Sequence, residues 1–172
     1  MSKSMIASAL TVLLVSFGAS AANQGQGKVN FKGSVIDAPC SISEESEDQL
    51  INFGQVSKIL LASGGISTKK NVDIKLEKCD PSTLNKGVTV TFNGNTLGGQ
   101  PTELLTSGDN TNTAIVLNGY GSDVVYGTPT DFVRLGNGDN TLRFSAWVKQ
   151  ATGKTVGEGE FNAVTNFSMS YE

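Results

Sequence analysis

The last fifteen residues, EGEFNAVTNFSMSYE, alternate between apolar and polar side chains and constrain the fold more than any other stretch. Such a period of two predicts a β-strand with one buried face. Only Glu172 follows this alternation, so the pattern predicts a strand that still lacks cover where the sequence stops. The residues of the predicted buried face are Phe161, Ala163, Thr165, Phe167, Met169 and Tyr171.

The first residues are typical of a secretory signal peptide rather than of a folded domain. Lys3 precedes the apolar run MIASALTVLLVSF, and small residues follow at Ala19 and Ala21. The run is too short to span a bilayer comfortably, which takes roughly 20 residues. We therefore predict a signal over residues 1–21, with cleavage after Ala21 or Ala22.

The remaining chain of about 150 residues has the usual size of one domain and can bury a real core. The formal net charge is −3 with no histidine, and no basic patch suggests binding to nucleic acid. The acidic run EESED at residues 44–48 is interpreted as a solvated loop.

Two cysteines, Cys40 and Cys79, lie behind the predicted signal. An even number in an exported chain predicts one disulfide bond, which we expect to be oxidised at the cell surface. A metal site is disfavoured, because the chain has no histidine and no CxxC spacing. No cofactor or metal is expected.

Short alternating segments separated by Gly, Asn, Asp and Thr fill most of the rest of the chain. They predict an antiparallel all-β sandwich, with a barrel as the structural alternative. SKILLAS, residues 57–63, is expected to form at most one helical turn, and residues 93–108 are expected to be a surface loop. The predicted strands are NVDIKLEKC, GVTVTFNG with a turn at Asn93-Gly94, TAIVLNGYG, DVVYG and NTLRFSAWVKQ.

A second alternating stretch, GQGKVNFKGSVIDAPC, precedes Cys40. Val29, Phe31, Gly33 and Val35 share one face, with mostly polar residues on the other. Taken alone, the pattern favours the first strand of the sandwich itself. The alternative is a strand that leaves its own domain and packs elsewhere.

Catalysis is not predicted, because the usual general base, histidine, is absent and no other spacing marks a site. GNGDN and SGDNTN carry oxygen ligands that suggest Ca²⁺, but they lack the full loop pattern, and turn chemistry explains them.

From end to end the chain resembles pilins of the chaperone–usher pathway, and most closely the major pilins of P-type pili. The resemblance rests on GQGKVNFKGSVIDAPCSIS, INFGQVSK, DIKLEKCD, TAIVLNG and the C-terminal stretch. A glycine near the fourteenth position from the C-terminus and a penultimate tyrosine are typical of this family, and Gly159 and Tyr171 occupy those places.

The resemblance implies an incomplete immunoglobulin-like sandwich that lacks its last strand and is completed by a donor strand from another subunit. The implied organisation is a signal at 1–21, a donor-strand extension at 22–37 and a pilin domain at 38–172. The implied partners are related or identical pilins, a periplasmic chaperone and an outer-membrane usher, and the implied location is a cell-surface pilus. The donor residues would be Val29, Phe31, Gly33 and Val35, and the groove and chaperone-docking residues would be Gly159, Phe161, Ala163, Phe167, Met169 and Tyr171.

Two alternatives remain at this point. The chain is a minor pilin, either an adaptor or a terminator of the same pilus, or it is a secreted monomeric sandwich that binds a ligand. A mature protein that folds alone and stays monomeric would favour the binding module.

Overall fold

A computed structural model describes residues 27–172; residues 27–35 belong to one unit and Ile36–Glu172 form a second. The predicted signal and residues 22–26 lie outside the described residues. In the second unit, short helices α1 (Glu44–Glu47) and α2 (Lys58–Ala62) and a 3-10 turn (Pro81–Thr83) accompany eleven strands. The strands are β1 (Ser41–Ile42), β2 (Lys70–Cys79), β3 (Val88–Gly94), β4 (Thr96–Leu97), β5 (Gln100–Leu105), β6 (Ser107–Gly108), β7 (Thr113–Gly119), β8 (Ser122–Asp123), β9 (Gly138–Gln150), β10 (Phe161–Asn162) and β11 (Thr165–Tyr171).

The strands of this unit pack as two layers, as the all-β sandwich prediction requires. The larger sheet has the order β1-β2-β9-β7-β5-β4, with β8 on β7, while β11 pairs with β3 and β10 with β6. All of these pairs are antiparallel. Phe92 of β3 meets Phe144 of β9 edge to face, with ring centroids 5.0 Å apart, so the core lies between the two layers.

The alternating apolar residues of β2 and β9 form the floor of this core. Ile74 lies opposite Leu142 and Val72 opposite Phe144 in the ladder, so one face of each strand points inward. Leu142, Phe144 and Ala146 are each at most 3% exposed. Cys79 at the end of β2 forms a disulfide bond with Cys40 just before β1.

Residues 93–108, expected to be a surface loop, instead form the end of β3 and the short strands β4, β5 and β6. Asn93 and Gly94 continue β3, and the turn falls at residues 98–99. The prediction was wrong because β5 buries a carboxylate, Glu103, which is only 2% exposed and breaks the apolar alternation. Lys149 Nζ donates to Glu103 Oε1 at 2.5 Å, and the backbone N–H of Thr152 donates to Oε2 at 2.9 Å.

Helix α2 confirms the predicted turn at residues 57–63. Two other local predictions need correction. The run DVVYG leaves strand geometry after Asp123, although Tyr126 is buried. The acidic run forms α1 rather than a loop. Ser46 in α1 is buried because its hydroxyl accepts from the backbone N–H of Lys75 at 2.9 Å, which ties the helix to β2.

Candidate functional site: an open strand position beside the C-terminal strand

The C-terminal strand β11 is bonded along only one edge. It pairs with β3 in unbroken register, from Thr165 opposite Gly94 to Tyr171 opposite Val88. Within residues 27–172, no strand pairs with its other edge. An edge of this length offers a row of backbone donors and acceptors to an incoming strand.

The inward face of β10 and β11 is only half buried. Its side chains are of intermediate exposure, whereas the alternate residues are exposed, so the predicted period of two is present. The corresponding face of β9 is almost fully buried, which indicates that the inward face of β11 lacks cover. Burial raises the pKa of the Tyr171 hydroxyl above its ordinary value. The half-buried residues are Phe161, Ala163, Thr165, Phe167, Met169 and Tyr171.

Residues 50–56 form the opposite wall of this position. Their backbone is neither helix nor strand, and among the described residues its one hydrogen bond joins Gly54 N–H to Asn52 Oδ1 at 2.8 Å. The ring of Phe53 lies 6.4 Å from that of Phe161. Lys58 Nζ, just beyond this segment, lies 3.0 Å from Glu158 Oε1. These contacts place the segment beside the start of the C-terminal strand.

The free edge of β11 and the irregular segment 50–56 therefore border one apolar surface that is only half covered, which we call the slot. Ile42, Phe53 and Ile115 are partly buried against the same core as Phe167 and Met169. A strand that pairs with a free edge lies about 4.8 Å from it. A strand that entered here could pair its backbone with β11 and pack apolar side chains on this surface.

Gly159, predicted as part of this site, has a local role in the structure. Its φ is +138°, a backbone conformation that residues other than glycine rarely adopt. A Cβ at this position would lie 2.2 Å from Cβ of Asp109. Asp109 Oδ2 also accepts from the N–H of Glu160 at 3.1 Å. Gly159 thus fixes the turn that leads into β10.

The predicted donor residues lie upstream of the sandwich. Residues 27–39 belong to no helix or strand, and the larger sheet begins at β1 instead. Val29, Phe31 and Val35 are 74%, 93% and 103% exposed. At Gly33 an added Cβ would meet no atom within 4 Å. The segment therefore presents its alternating apolar face to its surroundings.

The opposite wall was missed by reasoning from the sequence. The alternation of Ile51 and Phe53 in INFGQV is a weak signal, too short to predict an edge. Its position depends on the contact with Phe161, more than one hundred residues later.

No metal or membrane element adds to this site in the described part of the chain. Residues 27–172 hold no group of three or more His, Cys, Asp or Glu side chains placed to bind a metal, and no helix long and apolar enough to cross a membrane. In GNGDN, Asn140 serves the turn itself, because its amide bonds Gly136 N–H at 2.9 Å and Gly136 C=O at 2.8 Å.

A family model described as Fimbrial protein matches residues 29–172. The chain belongs to the fimbrial protein family. It is 45% identical to the Pap fimbrial major pilin protein of Escherichia coli over the full length of both chains. It is 42% identical to the Fimbria A protein of Serratia marcescens, covering 100% of this chain and 99% of the other.

Solved structures agree with this assignment. The crystal structure of the P pilus rod subunit PapA superimposes with a TM-score of 0.74 at 42% identity, covering 78% of this pilin and 100% of that chain. A chaperone–usher pilus structure that concerns rod uncoiling gives 0.82 at 44% identity, covering 87% and 97%. The predicted fold class and family are therefore confirmed.

Proposed function

We propose that this pilin is the major rod subunit of a cell-surface pilus and polymerises when the slot of one copy receives the extension of the next. The observation that carries the proposal is the match between the two parts. The slot has an unpaired strand edge and a half-buried apolar floor, and the extension has exposed apolar side chains at positions 29, 31 and 35 around Gly33. The major pilins among its relatives support the rod role over a minor role.

The lengths agree. Residues 27–37 take ten steps along the chain, as do Phe161 to Tyr171, and ten steps of extended backbone cover about 34 Å. Burying Val29, Phe31 and Val35 contributes about 1.5 to 3 kcal/mol for each side chain, before the cost of ordering the segment. Backbone pairing with β11 adds to this and sets the register.

Each subunit has one slot and one extension, and the two are different surfaces. Contacts between different surfaces are heterologous, and when the rotation does not close they generate an open filament. The function is mechanical, and no reaction is proposed.

An open slot is an aggregation hazard until the next subunit arrives. The family resemblance assigns its temporary cover to a periplasmic chaperone, which supplies a strand of its own, and assigns the exchange to the outer-membrane usher. Strand addition of this kind is an established mode of pilin recognition. The pilin is thus secreted through the periplasm and assembled on the cell surface.

Deletion of residues 28–37 tests the proposal. We expect the truncated subunit to co-purify with the chaperone, because its slot and disulfide are unchanged, while electron microscopy finds no filaments. Gly33→Leu should act in the same direction by obstructing the close approach of the two backbones. Loss of the chaperone complex together with the filaments would show that the segment belongs to the subunit's own fold, and a stable free monomer would favour a binding module.

A further inference from the structure

The Ile36–Glu172 unit has two distinct ends, which we call the disulfide pole and the helix pole. At the disulfide pole, Cys79 lies opposite Gly138 and β1 pairs with the end of β2. At the helix pole, Leu61 of α2 packs with Val148 and Val156. The ten residues of β2 run between them, so the poles are about 30 Å apart.

Charges that lack an ion-pair partner differ between the poles. Among the described residues, the disulfide pole has two cations, Lys78 and Arg134, and four acids that make no salt bridge. They are Asp37, Glu77, Asp80 and Asp139. On the α2 side of the helix pole, Lys69 and Lys70 make no salt bridge to a described residue, whereas Lys58 is paired with Glu158. Glu160, on the β10 side of this pole, makes no salt bridge either.

The helix pole also exposes apolar surface. Helix α2 buries Leu61 but leaves Ile59 82% exposed and Leu60 44% exposed. Ile66, which bridges to β9 at the same pole, is 39% exposed. At the disulfide pole, Ile36 is 60% exposed next to Asp37. Each pole thus combines apolar side chains with an excess of unpaired charge, negative at the disulfide pole and positive beside α2.

The direction of the slot brings unlike poles together. The slot begins at the helix pole, where Phe161 meets Phe53, and ends at Glu172, whose carbonyl accepts from Lys86 and Gly87 N–H. The extension is continuous in sequence with Ile36 and Asp37, which lead into Cys40 at the disulfide pole. An antiparallel insertion beside β11, the more stable pairing, places the donor's disulfide pole against the acceptor's helix pole. A parallel insertion would bring acids against acids.

We infer that consecutive subunits make a second, body-to-body contact in which the acidic disulfide pole of the donor docks on α2 and Lys69 of the acceptor. This contact rests on the proposed strand exchange and adds to it a contact between the folded bodies of the two subunits. The occupant of the α2 surface is a second copy of this chain. Charge complementarity steers the approach, and Ile59 supplies the apolar contact once the slot is filled.

The test compares two donors on the same chaperone–subunit complexes. A synthetic peptide of residues 22–37 enters the slot without a body, whereas an intact subunit brings its disulfide pole. The acceptor variants are Ile59→Asp and Lys69→Glu, the donor variant is Glu77→Lys, and the control is Arg143→Glu. Arg143 is exposed in the middle of β9, between the poles.

We expect peptide exchange to proceed at the unaltered rate in every variant, while subunit polymerisation slows about 3- to 10-fold for Ile59→Asp, Lys69→Glu and Glu77→Lys only. The two charge effects should vanish near 1 M salt, where the Debye length is about 3 Å. Lys69→Glu combined with Glu77→Lys should recover part of the rate.

If Ile59→Asp, Lys69→Glu and Glu77→Lys polymerise as fast as the control Arg143→Glu, the second contact is overturned and strand exchange still stands. Failure of the peptide to enter the unaltered slot would instead overturn the proposed function. If Ile59→Asp lowers the yield of chaperone complex, Ile59→Ser replaces it, since it removes the apolar contact without adding charge.

Discussion

Phe31→Ala separates the stability of the subunit from the stability of the junction between subunits. Phe31 is 93% exposed, so its removal takes no packing from the subunit itself. Substitutions of this kind change the free energy of unfolding by about 0.5 kcal/mol or less. In the filament the same ring would be buried in the slot of a neighbour.

The expected loss at the junction is much larger. Phe→Ala at a buried position costs about 3 to 5 kcal/mol, because the transfer free energy of the ring is lost and a cavity is left behind. At 1.4 kcal/mol for each factor of ten, the lower figure already weakens strand binding about 100-fold. Phe92→Ala is the matched control, because Phe92 is 1% exposed and its loss falls on the subunit's own core.

The assay adds peptides of residues 22–37, with Phe or Ala at position 31, to the chaperone-bound subunit and measures the fraction of slots filled at equilibrium. Subunits that carry each substitution are compared for their yield with the chaperone. We expect Phe31→Ala to lower slot filling and spare the yield, and Phe92→Ala to lower the yield. Equal slot filling by both peptides, or a reduced yield for Phe31→Ala, would refute the reasoning.

Three further substitutions address the sandwich. Phe167→Asp puts a charge on the floor of the slot, so the subunit should be degraded in the periplasm; normal levels of its chaperone complex would count against the site. Tyr126→Phe should leave stability unchanged or raise it by about 1 kcal/mol in denaturant unfolding, because the buried hydroxyl has no hydrogen-bond partner among the described residues. Burial acts to raise the pKa of Glu103, but hydrogen bonds from Lys149 and Thr152 outweigh it and lower that pKa. The stabilisation is therefore present above the ordinary carboxyl range and lost as pH falls through the folded-state pKa, and Glu103→Gln should flatten the acid limb of stability against pH.

The strands that the sequence predicts well are those in which apolar residues recur at every second position. β2, β9 and β11 each place apolar residues on one face, and burial then follows from the alternation itself. β5 was missed because Glu103 is acceptable in the core only when Lys149 and Thr152 surround it. Both residues follow more than forty positions later, so no local window contains the reason for the burial.

The two walls of the slot differ for a related reason. β11 could be predicted because its regular alternation is local, whereas residues 50–56 become a wall only by standing opposite Phe161. Gly54 has a φ of +65° and bonds the Asn52 side chain, so this segment cannot present a continuous ladder. In the proposed exchange, an incoming strand would therefore pair its backbone with β11 and pack its side chains against Phe53 and Val56, both partly buried in the subunit. In that arrangement β11 would set the register of the incoming strand, and residues 50–56 would set the fit of its side chains.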